Sequence, residues 1–193
     1  MARPKSFDPD TVLAKAMGVF WEKGYDAASI SDLTEAMGIN RFSLYDTFGD
    51  KHELYLKALD AYSDRVVGGM VERVNSIQSL EDIETLFFGM IEFQHSGESS
   101  PCCMMHKAAV SLAAVDEEAR RRVETARDRF HAAYHDAMDR IKRTGAVRQD
   151  LDLNHAAWLL MITKSGLMAY SGSPVPEDEA KGAVRAMLAQ FRA

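Results

Sequence analysis

The sequence predicts an all-α protein, with a small three-helix head containing a helix–turn–helix and a larger helical body, about nine helices in all. Three observations lead there. No run alternates apolar and polar residues long enough to make a strand, whereas apolar residues recur at helical spacing through most of the chain. The stretch Ser29 to Lys51 reads as two short helices joined by a tight turn at Gly38. At 193 residues the chain can bury one large core or two small ones.

The elements follow in order. Arg3 and Lys5 flank Pro4 in a short basic arm. Asp8 is placed to N-cap a first helix with Pro9 at its first position. That helix carries an apolar stripe of Val12, Leu13, Ala16, Val19 and Phe20, and Gly24 ends it. Ile30, Leu33 and Met37 form one buried face of the second helix, which stops at Gly38. Ile39 is read as a buried plug in the turn, and Asn40 as the N-cap of a third helix. There Leu44 and Phe48 point inward, leaving Arg41, Phe42, Ser43, Tyr45, Asp46 and Thr47 outside. Asp50 and Glu53 read as a capping box for a long fourth helix, with Gly68-Gly69 as its weak point.

Beyond it, Ser79 to His95 presents Ile83, Leu86, Phe87, Met90 and Ile91 on one face. Residues 97 to 101 are the clearest loop, and a helix is expected from Cys102 to Ala114, with both cysteines in its first turn. Asp116 is placed to cap a charged helix running to about Lys142, with Val123, Ala126, Phe130, Ala133 and Ala137 on its inner side. Asn154 to Tyr170 is the most uniformly apolar helix, and Glu177 to Phe191 is the last.

The run Gly38-Ile-Asn-Arg-Phe-Ser-Leu-Tyr-Asp-Thr-Phe-Gly-Asp-Lys51 closely resembles the DNA-binding signature of the TetR/AcrR family of bacterial transcriptional regulators. The match spans roughly residues 6 to 60 and includes Phe20, Gly24, Tyr25, Leu33, Gly38, Leu44, Tyr45, Phe48 and Lys51. The other two-thirds of the chain resembles the family only in length and helical character. The resemblance implies a DNA-binding domain over residues 6–66 and a ligand-binding and dimerisation domain over 67–193. It further implies double-stranded operator DNA, a small-molecule inducer and a second copy of the chain as partners. No cofactor and no metal are implied.

Composition bounds this reading. The net charge is −6, and residues 1–57 hold seven Lys/Arg against nine Asp/Glu, so geometry must carry the case for DNA more than bulk charge does. No apolar run reaches bilayer length and the first residues lack the apolar core of a secretory signal, so a cytoplasmic protein without membrane contact is expected. The two cysteines are adjacent, which implies no disulfide framework.

The candidate DNA contacts are Arg3, Lys5, Ser29, Ser31, Arg41, Phe42, Ser43, Tyr45, Asp46, Thr47 and Lys51. Arg41 leads because a guanidinium pairs bidentately with guanine. Tyr45 resembles the family tyrosine that meets a phosphate. Lys51 sits in a first helical turn, an unfavourable place for a cation, and a phosphate is a natural partner to offset that cost. Ser29 and Ser31 open a helix whose amides can hold a phosphate, although Ser29 is equally an ordinary N-cap. Phe42 has two readings, a thymine methyl or internal packing.

A ligand pocket or thiol sensor is expected around Phe87, Met90, Ile91, Cys102, Cys103, Met105, His106, Phe130 and Tyr134. The 11 methionines suit an adaptable cavity but suit plain core as well. A dimer interface is expected at Trp158, Leu159, Ile162, Met187 and Phe191. Three readings compete. They are a ligand-responsive repressor, with a redox- or electrophile-sensing regulator using Cys102 and Cys103 as its variant; an all-α thiol enzyme with His106 as base; and a protein-binding adaptor.

Overall fold

The structure is a computed structural model and describes residues 7–96 and 102–193. Its elements are α1 (Pro9–Ala27), α2 (Ile30–Met37), α3 (Arg41–Phe48), α4 (Lys51–Tyr62), a π turn (Ser63–Val67), α5 (Gly68–Asn75), α6 (Leu80–His95), α7 (Met104–Val110), a 3-10 turn (Leu112–Ala114), α8 (Glu117–Arg143), α9 (Leu153–Ala169) and α10 (Glu177–Ala189). Among the described residues no strand forms, and Val147 and Arg192 make a single antiparallel bridge. The expected long fourth helix is divided, because it widens into the π turn immediately before Gly68-Gly69, where two glycines weaken helical propensity.

The chain forms two compact units, one from the described residues of Met1–Val67 with Cys103–Glu124, the other from those of Gly68–Cys102 with Thr125–Ala193. In the first, α1 packs against α2 and α4, and α2 and α4 each contact α3. Its core holds Val12, Ala16 and Phe20 of α1, Leu33 and Met37 of α2, Leu44 and Phe48 of α3, and Leu54 and Leu59 of α4. Each of these side chains other than Ala16 contributes roughly 1.5–3 kcal/mol on burial, so this cluster outweighs every surface ion pair around it. Phe20 meets Tyr55 edge-on, with ring centroids 5.0 Å apart. Ile30 and Ile39, expected inside, are only half-buried, because each stands where the chain enters or leaves a helix.

Helix α7 returns to this unit and contacts α1 and α4. Lys107 Nζ donates to the carbonyls of Trp21 (2.8 Å) and Glu22 (3.1 Å), just before Gly24 leaves helical geometry at φ 81°. Arg122 pairs bidentately with Asp60 at 2.8 and 3.1 Å. His52 Nε2 lies 2.8 Å from Asp116 Oδ2, and Asp116 also accepts from the Ala119 N–H as cap of α8.

In the second unit α6 opens with a reciprocal capping box between Ser79 and Asp82 and packs against α10. Lys181–Glu92 (2.8 Å), Arg185–Glu84 (2.9 Å) and Arg192–Glu81 (3.0 Å) run along that contact. Each pair has at least one exposed partner and is weak; buried Ile83, Phe87, Ile91, Val184 and Leu188 supply the stability. The chain end is tied down by Arg148 N–H donating to the Phe191 carbonyl at 3.0 Å.

Candidate nucleic-acid interface

Helix α2 begins with a capping box: the Asp32 N–H donates to Ser29 Oγ (3.1 Å) and the Ser29 N–H to Asp32 Oδ2 (2.9 Å). Lys23 Nζ, near the end of α1, donates to Asp32 Oδ1 at 2.8 Å. That ammonium, with the Ser29 donors, holds the Asp32 carboxyl well below the usual carboxylate range. The helix ends on Gly38 at φ 70°, ψ 29°, with the Gly38 and Ile39 amides returning to the Thr34 carbonyl. Asn40 then caps α3 by accepting from the Ser43 N–H at 2.8 Å. Lys57 Nζ donates to the Phe48 carbonyl at 2.8 Å, placing a cation at the negative end of α3.

This framework fixes which way α3 faces. Leu44 and Phe48 are fully enclosed, while Arg41, Phe42, Tyr45 and Asp46 are exposed. Arg41 Nη2 donates to Ser31 Oγ at 3.1 Å, so α2 holds the guanidinium before any ligand arrives.

Other candidates stand differently. Ser29 is accounted for as a cap. Ser43 is half-buried. Thr47, expected outside, is half-buried with Oγ1 enclosed and without a hydrogen-bond partner among the described residues, because it lies on the flank of the helix nearer the core. Lys51 Nζ sits 4.6 Å from the Tyr25 ring centroid and 3.4 Å from the Asp26 carbonyl oxygen. Those two groups already offset its unfavourable helical position. Arg3 and Lys5 lie outside the described residues.

Residues Ile30 to Phe48 therefore form a complete helix–turn–helix, with Arg41, Phe42, Tyr45 and Asp46 on its outer face. Residues 12–58 match the family model described as bacterial regulatory proteins, tetR family. Over 159 residues the chain is 31% identical to the uncharacterized HTH-type transcriptional regulator YezE of Bacillus subtilis, covering 81% of this chain and 82% of that protein. The chain belongs to the TetR family.

As a TetR-family protein it is a transcriptional regulator with a helix–turn–helix DNA-binding fold. The HTH-type transcriptional repressor ComR of Escherichia coli is 49% identical over 63 residues, 33% of this chain and 30% of that one. Among solved structures, the TetR-family regulator CifR, a cysteine mutant complexed with 26-bp double-strand operator DNA, superposes with a TM-score of 0.83 at 28% identity. The match covers 98% of this chain and 100% of CifR.

The remaining expectations for this TetR-family chain concern its other helices. Phe87, Ile91, Phe130 and Tyr134 are buried and Met90 half-buried in the second unit. Cys103, buried Met105 and half-buried His106 belong to the first. The cysteines are not in the first turn of a helix: α7 starts at Met104, Cys103 is its cap residue at φ −42°, ψ 128°, and Cys102 precedes it. A thiol caps poorly because sulfur is a weak acceptor, and no side-chain cap bond forms. Both thiols are half-buried and not joined in a disulfide, and Tyr62 OH lies 3.5 Å from Cys103 Sγ.

Of the expected interface residues, Ile162 is 65% exposed and Leu159 is exposed on the same face of α9. Trp158 is half-buried, its ring 4.5 Å from that of His131. Met187 and Phe191 are instead inside the protomer, Phe191 at 2% exposure, because α10 turns them toward the core of its own unit. A surface hollow of about 260 Å³, lined by Arg148, Leu151, His155, Leu159 and Phe191 among others, includes none of the expected pocket residues. Among the described residues no helix is long and apolar enough to cross a membrane. Sequence reasoning missed the Ser31–Arg41 and Lys107–α1 links. Both join groups whose spacing in the chain carries no periodic signal.

Proposed function

We propose that this TetR-family regulator is a one-component repressor that binds a pseudo-palindromic operator as a homodimer and releases it when a small molecule binds. The observation that carries the reading is α3, anchored through Leu44 and Phe48, with Arg41, Phe42, Tyr45 and Asp46 on its open side. Such a face enters the major groove, and a two-fold dimer sets its pair of reading helices about 34–36 Å apart. Support comes from the operator complex of CifR and from the repressor name of ComR. The exposed Leu159 and Ile162 of α9, Tyr170 just past its end, and the small residues Gly182, Ala183, Ala186 and Ala189 of α10 suit close pairing with a second copy. The inducer is placed in the second unit. It must bind the DNA-incompetent state more tightly, since equal affinity for both states shifts nothing. The protein acts by binding, in the cytoplasm, without catalysis.

Electrophoretic mobility shift on the DNA flanking the protein's own gene tests this. A retarded, footprinted complex that weakens about tenfold or more in Arg41→Ala is expected. Unchanged binding by Arg41→Ala removes α3 from the reading role.

A further inference from the structure

We infer that Phe42 reads the 5-methyl group of a thymine in each operator half-site, and so sets sequence preference alongside Arg41. The inference rests on the operator reading given above. Phe42 is 79% exposed, which rules out the internal packing that its apolar ring would otherwise favour.

Position on α3 sharpens this. Successive residues turn by about 100°, so the midpoint of buried Leu44 and Phe48 lies about 140–180° from Phe42 and Asp46. Phe42 therefore stands on the side of the helix directed away from the protein, in the first turn, where recognition helices meet base edges. Arg41 and Tyr45 flank it on one side, half-buried Ser43 and Thr47 on the other.

The chemistry of the ring selects its target. Phenylalanine has no hydrogen-bonding atom, so it cannot read the donor and acceptor pattern of the major groove. The one apolar feature that groove offers is the thymine methyl. Arg41, adjacent in sequence and oriented by Ser31, is suited to guanine O6 and N7. The half-site is thus expected to place a thymine next to, or one step from, a guanine.

The test uses full-length protein and a duplex that the protein itself enriches from a randomised DNA pool. Each thymine of the enriched half-site is replaced in both halves by deoxyuridine, which removes only the methyl, and binding is followed by fluorescence anisotropy. At one thymine position the wild type loses about fourfold per half-site, the worth of one buried methyl group, and about sixteenfold for the pair. Phe42→Ala and Phe42→Ser bind the thymine and deoxyuridine duplexes alike. Equal wild-type affinity for every deoxyuridine duplex, a half-site without thymine, or undiminished discrimination by Phe42→Ala overturns the inference alone. A selection that enriches no sequence overturns the operator reading, and this inference with it.

Discussion

Tyr134 offers a prediction whose sign is counterintuitive. Its side chain is 0% exposed, and its hydroxyl has no hydrogen-bond partner among the described residues. A buried hydroxyl left unpaired costs roughly 1–3 kcal/mol relative to its hydrated state in the unfolded chain. Tyr134→Phe removes that single oxygen and keeps the ring. A small void opens in its place, which reduces the net gain to about 1 kcal/mol. For a chain of this length that corresponds to a Tm higher by about 2–4 °C. Calorimetry or urea unfolding at matched protein concentration reads it, since a dimer's stability depends on concentration. Alkaline pH adds a second readout. Burial pushes the Tyr134 hydroxyl far up, and that of Tyr55 to about 12. The unfolded chain ionises its tyrosines near pH 10, so this stabilisation is complete below about pH 10 and is lost as pH rises above it. Each of the two tyrosines contributes about 1.4 kcal/mol per pH unit to the loss. Tyr134→Phe should remove one of those two contributions. A variant less stable than wild type at pH 7, or an unchanged alkaline slope, refutes the reasoning and means that the hydroxyl is satisfied in solution.

Other expectations are simpler. Gly38→Ala forces a β-carbon into left-handed geometry with nothing within 4 Å to clash, so the cost is backbone strain alone, about 1–2 kcal/mol in urea unfolding; a neutral result denies the tight turn. Ser31→Ala releases Arg41 without altering the core and should weaken operator binding a few-fold while leaving Tm within about 1–2 °C. If Ser31→Ala and wild type bind alike, the serine does not position the arginine. Toward acid, the carboxyls of Asp32 (held low by Lys23), Asp82 (by the Gln78 N–H) and Asp116 (by the Ala119 N–H) are all depressed. Their stabilisation is present above about pH 4 and declines as pH falls below it. Urea midpoints from pH 6 to 2.5 should fall accordingly, and less steeply in Asp32→Asn; parallel curves for the two proteins contradict it.

Local signals were readable in the sequence where one residue type has one backbone job. Asp8 and Pro9 start α1, Ser29 and Asn40 cap the next two helices, and Gly38 takes the left-handed turn between them. Leu44 and Phe48 likewise declared the inner face of α3 through spacing alone. Contacts between distant segments left no such trace. Cys102 and Cys103 look like a helix start after a proline, yet the helix waits until Met104. Met187 and Phe191 read as surplus apolar surface because apolarity does not say which neighbour covers it. Lys51 called for a partner to offset its helical position, and the ones beside it, Tyr25 and the Asp26 carbonyl, lie 26 and 25 positions away in the chain, with no periodic signal to name them.

The return of Cys103–Glu124 to the first unit has a consequence during synthesis. When Val67 leaves the ribosome, Trp21 and Glu22 still lack Lys107, His52 lacks Asp116 and Asp60 lacks Arg122. At 5–20 residues per second those partners arrive roughly 2–11 s later. A nascent chain is therefore long past α3 before α1 and α4 receive these ties, and a gene truncated after codon 67 would encode the letters of the helix–turn–helix unit without its brace.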